Sequence, residues 1–176
     1  MSAGELALHG TVWLALVAWT AAEVLGPTRQ ASGASANSGS TTLGTNFDWR
    51  WPWSLGALAL ALHFALAMQL RHGWSHAAAV ADTARQTEAK FGLNWGGGVW
   101  FNYAMVALWL IDAAWAWIAP TRRAAVRGWQ WYVRGYFFFM WFNGAVVFPA
   151  GPVRWFGLMA CSAVAWSWWR RYQRRK

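Results

Sequence analysis

Negative charge is what this chain has least of. Six Asp or Glu residues face fifteen Lys or Arg in 176 positions, and charged residues of both signs make up 12% of the sequence, about half the ~25% usual in soluble domains. So few charges cannot coat a water-soluble surface of this size. Cysteine is nearly absent too: Cys161 stands alone, which excludes an intramolecular disulfide and a thiolate metal pair. It lies within an apolar run and reads as a small buried hydrophobe.

Catalytic signatures are missing as well. "WGGG" lacks the lysine and the strand–turn–helix context of a phosphate loop, and no serine sits in a G-x-S-x-G elbow. Four histidines are too few for the repeated histidine boxes of membrane di-iron hydroxylases and desaturases. The HxxxH pair His72 and His76 therefore reads as the polar end of a membrane helix. Zinc there would need a further ligand from Asp82 or Glu88, at a spacing with no specificity. The expectation is a protein that is not an enzyme, with no metal site.

What is abundant is apolar and aromatic. Hydrophobic residues make up 57% and aromatics 18% of the chain, and 18 residues are tryptophan. A buried indole N–H wants a partner, whereas the membrane–water interface suits both the ring and its donor. The expected fold class is thus an all-α integral membrane protein. The net charge of +9 does not point to nucleic acid, because the cations lie between and after the apolar runs and no nucleic-acid-binding motif accompanies them.

A span needs about 20 mostly apolar residues. Five stretches fit: Leu6–Leu25, Trp53–Leu70, Gly98–Ala119, Trp129–Phe148 and Val153–Trp169. "PAGP" separates the last two and Arg134 interrupts the fourth, so four spans plus a re-entrant hairpin is the alternative. The N-terminal "MSAGELALHG" has no basic region and carries Glu5, so the first run is expected to stay as a span; no lipidation motif is visible. With five spans and the N-terminus outside, eleven cations fall inside and four outside. The basic-residue rule then places the N-terminus in the periplasm and the C-terminus in the cytoplasm of a bacterial inner membrane.

Two connections differ in character. Gly26–Asn46, rich in Gly, Ser, Ala, Thr and Asn, is expected to be a flexible loop. His76–Lys90 has strong helix formers behind a Ser75 cap and ahead of Gly92, which predicts one short extramembrane helix; "WGGG" then reads as a flexible entry to the third span. At the bilayer edge, Trp49, Arg50, Trp51 and Trp53 pair indoles with a cation as interfacial anchors do, and the pattern recurs at Trp168, Trp169, Arg170 and Arg171.

Ionisable residues at membrane depth are His9, Glu23, His63, Asp112 and Arg134. His9 lies roughly 5 Å and His63 roughly 10 Å below the outer ends of their spans. Neighbouring antiparallel helices would bring these imidazoles to similar depths, where they could ligate haem or a chlorin; the alternative is that each donates to a backbone carbonyl. Asp112 and Arg134 fall within about one helical turn of the same depth, which predicts a structural ion pair.

The run "TARQTEAKFGLNWGGG", then "FNYAMVALWLIDAAW" and "MWFNGAVVFPAGPVRW", resembles small tryptophan-rich multi-span membrane proteins of GC-rich bacteria over about the second half of the chain. In size and style the chain also resembles accessory subunits of photosynthetic reaction-centre complexes. That likeness implies a non-catalytic subunit of a bioenergetic assembly, with other membrane subunits, lipids and pigments or quinone as partners. It implies no intrinsic cofactor, although contact with haem or bacteriochlorophyll would be in keeping. The competing expectation is a small haem- or quinone-associated electron-transfer protein using His9 and His63.

Overall fold

Helix α1 (Ala3–Leu25) begins at a capping box. The Glu5 N–H donates to Ser2 Oγ at 3.2 Å, and the Ser2 N–H donates to Glu5 Oε2 at 3.1 Å, satisfying two donors that the first turn leaves without helical partners. Helix α2 (Arg50–Arg71) packs against it, and α4 (Gly98–Ile118) packs against α2. This computed structural model describes residues 2–26 and 48–174, and among them there is no strand. Most of the Gly26–Asn46 loop expected from composition therefore lies outside the described residues.

Between α2 and α4 stands α3 (His76–Phe91), where Ser75 Oγ accepts the Ala78 N–H and Gly92 closes the helix at φ +71°. That left-handed conformation favours glycine. After α4 come the short α5 (Pro120–Ala125), then α6 (Arg127–Phe142), a π-helical turn (Asn143–Val147) and α7 (Pro152–Gln173). Among the described residues the fold is all-helical, and α1, α2 and α4 are long and apolar enough to cross a bilayer. Helix α6 with its π-turn, and α7, are of similar length but carry more Tyr, Gln and Arg.

Close backbone approach holds the end of the bundle that carries α3. A Cβ on Gly157 of α7 would come within 2.3 Å of the Ala145 carbonyl oxygen in the π-turn, so α7 docks there only because that side chain is absent. The "WGGG" segment works in the same way: a Cβ on Gly96 would lie 2.5 Å from the Val80 carbonyl oxygen, and one on Gly97 2.4 Å from the Trp95 ring. The glycines expected to give a flexible entry instead make a close-packed junction between α3 and α4.

Aromatic rings form the centre. Trp19, Trp53, Trp109, Phe137 and Trp141 are buried together with Ala15, Ala57, Ala113 and Val164. Trp109 lies 5.0 Å from Phe137 and 5.3 Å from Trp53 between ring centroids, within the range for favourable edge-to-face and offset contact. The indole N–H groups of Trp19, Trp53, Trp109 and Trp141 have no hydrogen-bond acceptor among the described residues. Other aromatic rings lie 5.0 to 6.5 Å from theirs between centroids, and a ring face accepts an N–H only weakly. Trp53, expected at the interface, is 3% exposed and belongs to this core. Indole abundance thus reflects the bundle's interior as well as its rims.

Candidate functional site

The acidic residues of the apolar helices decide the chemistry of the opposite end, where α1, α4 and α7 finish and α2 and α6 begin. Asp112, on α4, is fully buried. Its carboxylate accepts from Arg123 Nε at 2.9 Å and Nη2 at 2.6 Å, and from Trp129 Nε1 at 2.6 Å. Pro120 opens α5, and this short helix carries Arg123 back to Asp112. The Trp129 bond sets the start of α6 level with Asp112. Three donors, two of them the Arg123 guanidinium fork, offset the cost of burying the charge.

The expected Asp112–Arg134 pair is corrected by this geometry. Arg134 lies instead beside Glu23 of α1, with Nε 3.4 Å from Oε2. Depth along each helix was matched, but depth does not fix azimuth: Arg123 reaches Asp112 across a turn, and Arg134 faces α1. Glu23 is 5% exposed. Its carboxylate also accepts from Trp168 Nε1 at 2.9 Å, while Arg171 donates to its backbone carbonyl.

Asp48 and Arg50 complete this end. Arg50 Nε and Nη2 donate to the Asp48 carboxylate at 2.9 and 2.6 Å, and those bonds hold the Asp48 carboxyl below its ordinary carboxylate value. The Arg50 guanidinium also lies 4.3 Å from the Trp117 ring, and that of Arg123 lies 4.7 Å from Trp49. Both are cation–π distances. Between these groups is a cavity of about 570 Å³, lined by Arg50, Arg123, Arg134, Arg171, Glu23 and Asp48 together with Trp49, Trp53 and Trp131.

The predicted anchors therefore divide. Trp51 and Trp169 are exposed, and Arg170 is exposed on the last turn of α7. Trp49, Arg50, Trp168 and Arg171 are turned to the cavity or to Glu23, and Trp53 is core. The cavity was missed from sequence because its arginines read as topology signals. Pro120 just after α4 was the one local hint that Arg122 or Arg123 folds back.

At the far end, His63 of α2 lies 2.9 Å through Nδ1 from the Leu8 carbonyl oxygen. A carbonyl can only accept, so Nδ1 carries the proton. His9 binds the Glu5 carbonyl in the same manner at 2.7 Å. His63 and His72 line a second cavity of about 540 Å³ with Arg71, Asp82 and Gln86, whereas His9 is exposed and does not line it. His72 caps α2 while His76 starts α3 and contacts Tyr103 Oη at 2.9 Å, so a turn separates the two imidazoles of HxxxH. Among the described residues no three His, Cys, Asp or Glu side chains are grouped to hold a metal ion.

The acidic groups at the arginine-rich end are engaged by multiple donors, and the geometry offers ion pairing and anion contact rather than a general base aimed at a substrate. Compared with protein families, curated proteins and solved structures, the chain matches no family model, no curated protein and no solved structure.

Proposed function

We propose that the chain is a non-catalytic subunit of a larger bioenergetic membrane complex. It crosses a bacterial inner membrane five times, with the N-terminus in the periplasm and the C-terminus in the cytoplasm. The observation that carries this reading is the outer face of α7. Trp155, Met159, Ser162, Trp166 and Trp169 recur there at alternating spacings of four and three, and all are exposed. This is the seam spacing with which one helix meets another, and its small Ser162 allows close approach within a membrane. Large aromatic residues in such a seam are the kind that dominate interface energetics.

The parent assembly we assign is a photosynthetic reaction-centre–light-harvesting complex, on the likeness in size and aromatic style to its accessory subunits. The test is gentle extraction of the tagged full-length chain from its native membrane. Stoichiometric co-purification with a bacteriochlorophyll-bearing complex, lost in W155A/W166A with the helical content kept, is expected. A cytochrome-bearing complex instead would retain the subunit role and overturn the photosynthetic assignment. A solitary chain in the native membrane extract would overturn both.

One observation favours a second reading. With its Nδ1 proton held by Leu8, His63 presents Nε2 as its lone-pair nitrogen, the tautomer that axial ligands use, beside the second cavity. On that reading His63 alone ligates haem. A Soret band in the isolated chain, bleached by His63→Ala, is its signature; a colourless isolated chain under haem supplementation sinks it.

A further inference from the structure

Every cation lining the arginine-rich cavity has neighbours, but they are not equally committed. Arg50 and Arg123 each direct Nε and Nη2 to a carboxylate. Arg134 differs. Only its Nε approaches Glu23, at 3.4 Å, and among the described residues its two Nη groups make no hydrogen bond. Its side chain keeps 28% exposure, and it lines the cavity. Trp53 and Trp49 line the same cavity beside it.

The wider charge balance points the same way. Among the side chains the structure describes, seven cations and three carboxylates belong to this end of the bundle, against four and three at the other. The connection 27–47 contains no Asp or Glu and so brings no side-chain counter-charge. A concave site with unused guanidinium donors, inside a surplus of positive charge, recruits an anion. Guanidinium forks match phosphate oxygens in particular. Basic pockets at the ends of membrane helices are where anionic headgroups dock.

We propose that this cavity binds a phosphate group, held by the Nη groups of Arg134, with Arg50 and Arg123 supplying field rather than direct bonds. Two sources share that chemistry, an anionic phospholipid headgroup and free inorganic phosphate. This inference does not depend on the subunit reading, since it concerns the single chain.

The full-length chain, delipidated in a neutral detergent, would be titrated separately with phosphatidylglycerol, phosphatidylcholine and inorganic phosphate, with bound species counted by native mass spectrometry. Retention of phosphatidylglycerol at least tenfold over phosphatidylcholine identifies the lipid source. Saturable phosphate binding without lipid preference identifies the free ion. R134Q should weaken either by about tenfold, R134K should keep part of it, and R85Q at the far end should leave it unchanged. Because Arg134 also faces Glu23, E23Q gives an independent check: it removes the carboxylate that competes for Arg134, and binding at least as tight as the parent's is expected. The proposal is overturned if neither probe is preferred, if R134Q binds as the parent does, or if E23Q weakens binding while the fold is kept.

Discussion

The two ends of this bundle are held by different physics. At the arginine-rich end, helices are joined through charge: Asp112 with Arg123 and Trp129, and Glu23 with Arg134 and Trp168. At the other end, shape does the joining, with Gly157 against the Ala145 carbonyl and Gly96 against the Val80 carbonyl. Charges there are exposed, as in Arg85–Asp82 at 2.8 Å and Arg71–Glu5 at 3.7 Å. An end joined by buried ion pairs tolerates little loss of a partner, whereas an end joined by contact tolerates little gain of volume.

Removing a carboxylate at the first end is the strongest way to break the comparison. Asp112→Ala strands a guanidinium with 14% exposure and an indole N–H, and breaking such a pair costs about 3–5 kcal/mol. Thermal unfolding in detergent should show it as the largest loss of any single change here; a loss below about 1 kcal/mol would refute the buried-pair account.

Adding a methyl at the second end is the next test. Gly157→Ala puts a Cβ into the Ala145 carbonyl, with an expected cost of about 1–3 kcal/mol from overpacking. If the variant melts with the parent, α7 is not locked to the π-turn by contact.

Smaller effects sharpen the contrast. His63→Ala removes one hydrogen bond, typically about 0.5–1.5 kcal/mol, and the low end is expected because Thr11 Oγ1 still donates to the Leu8 carbonyl at 3.0 Å. Arg85→Ala should cost no more than about 0.5 kcal/mol, as exposed pairs do. A larger effect of Arg85→Ala than of His63→Ala in the same melts would reverse the order given to this end.

The long helices were legible because apolar runs of bilayer length and their breaks, such as Ser75 before α3 and Gly92 after it, are local signals. Pairings between helices were not. Asp112 and Arg134 share a depth, yet which face each presents depends on how α5 folds back, and that is set by packing rather than by the residues next to either. Trp53 was misread for a related reason. An aromatic flanking a cation looks like an anchor until the position of α4 brings Trp109 beneath it. Gly96 carried no hint in sequence that a carbonyl would lie beneath it, whereas Gly157 opens the small-residue stretch "GLMACSAVAW" and Ala145 lies in "FNGAVVFPAG", compositions that suit close helix packing.

The π-turn at Asn143–Val147 has a consequence for insertions and deletions. Such turns hold one residue more than α-helical winding requires. Deleting one residue within 143–147 would restore α-helical winding and rotate α6 by about 100° relative to α7. Val133, Phe137 and Trp141, now buried, would swing out of the core, and Arg134 would leave Glu23. In this stretch the chain's length is fixed as firmly as its residue types.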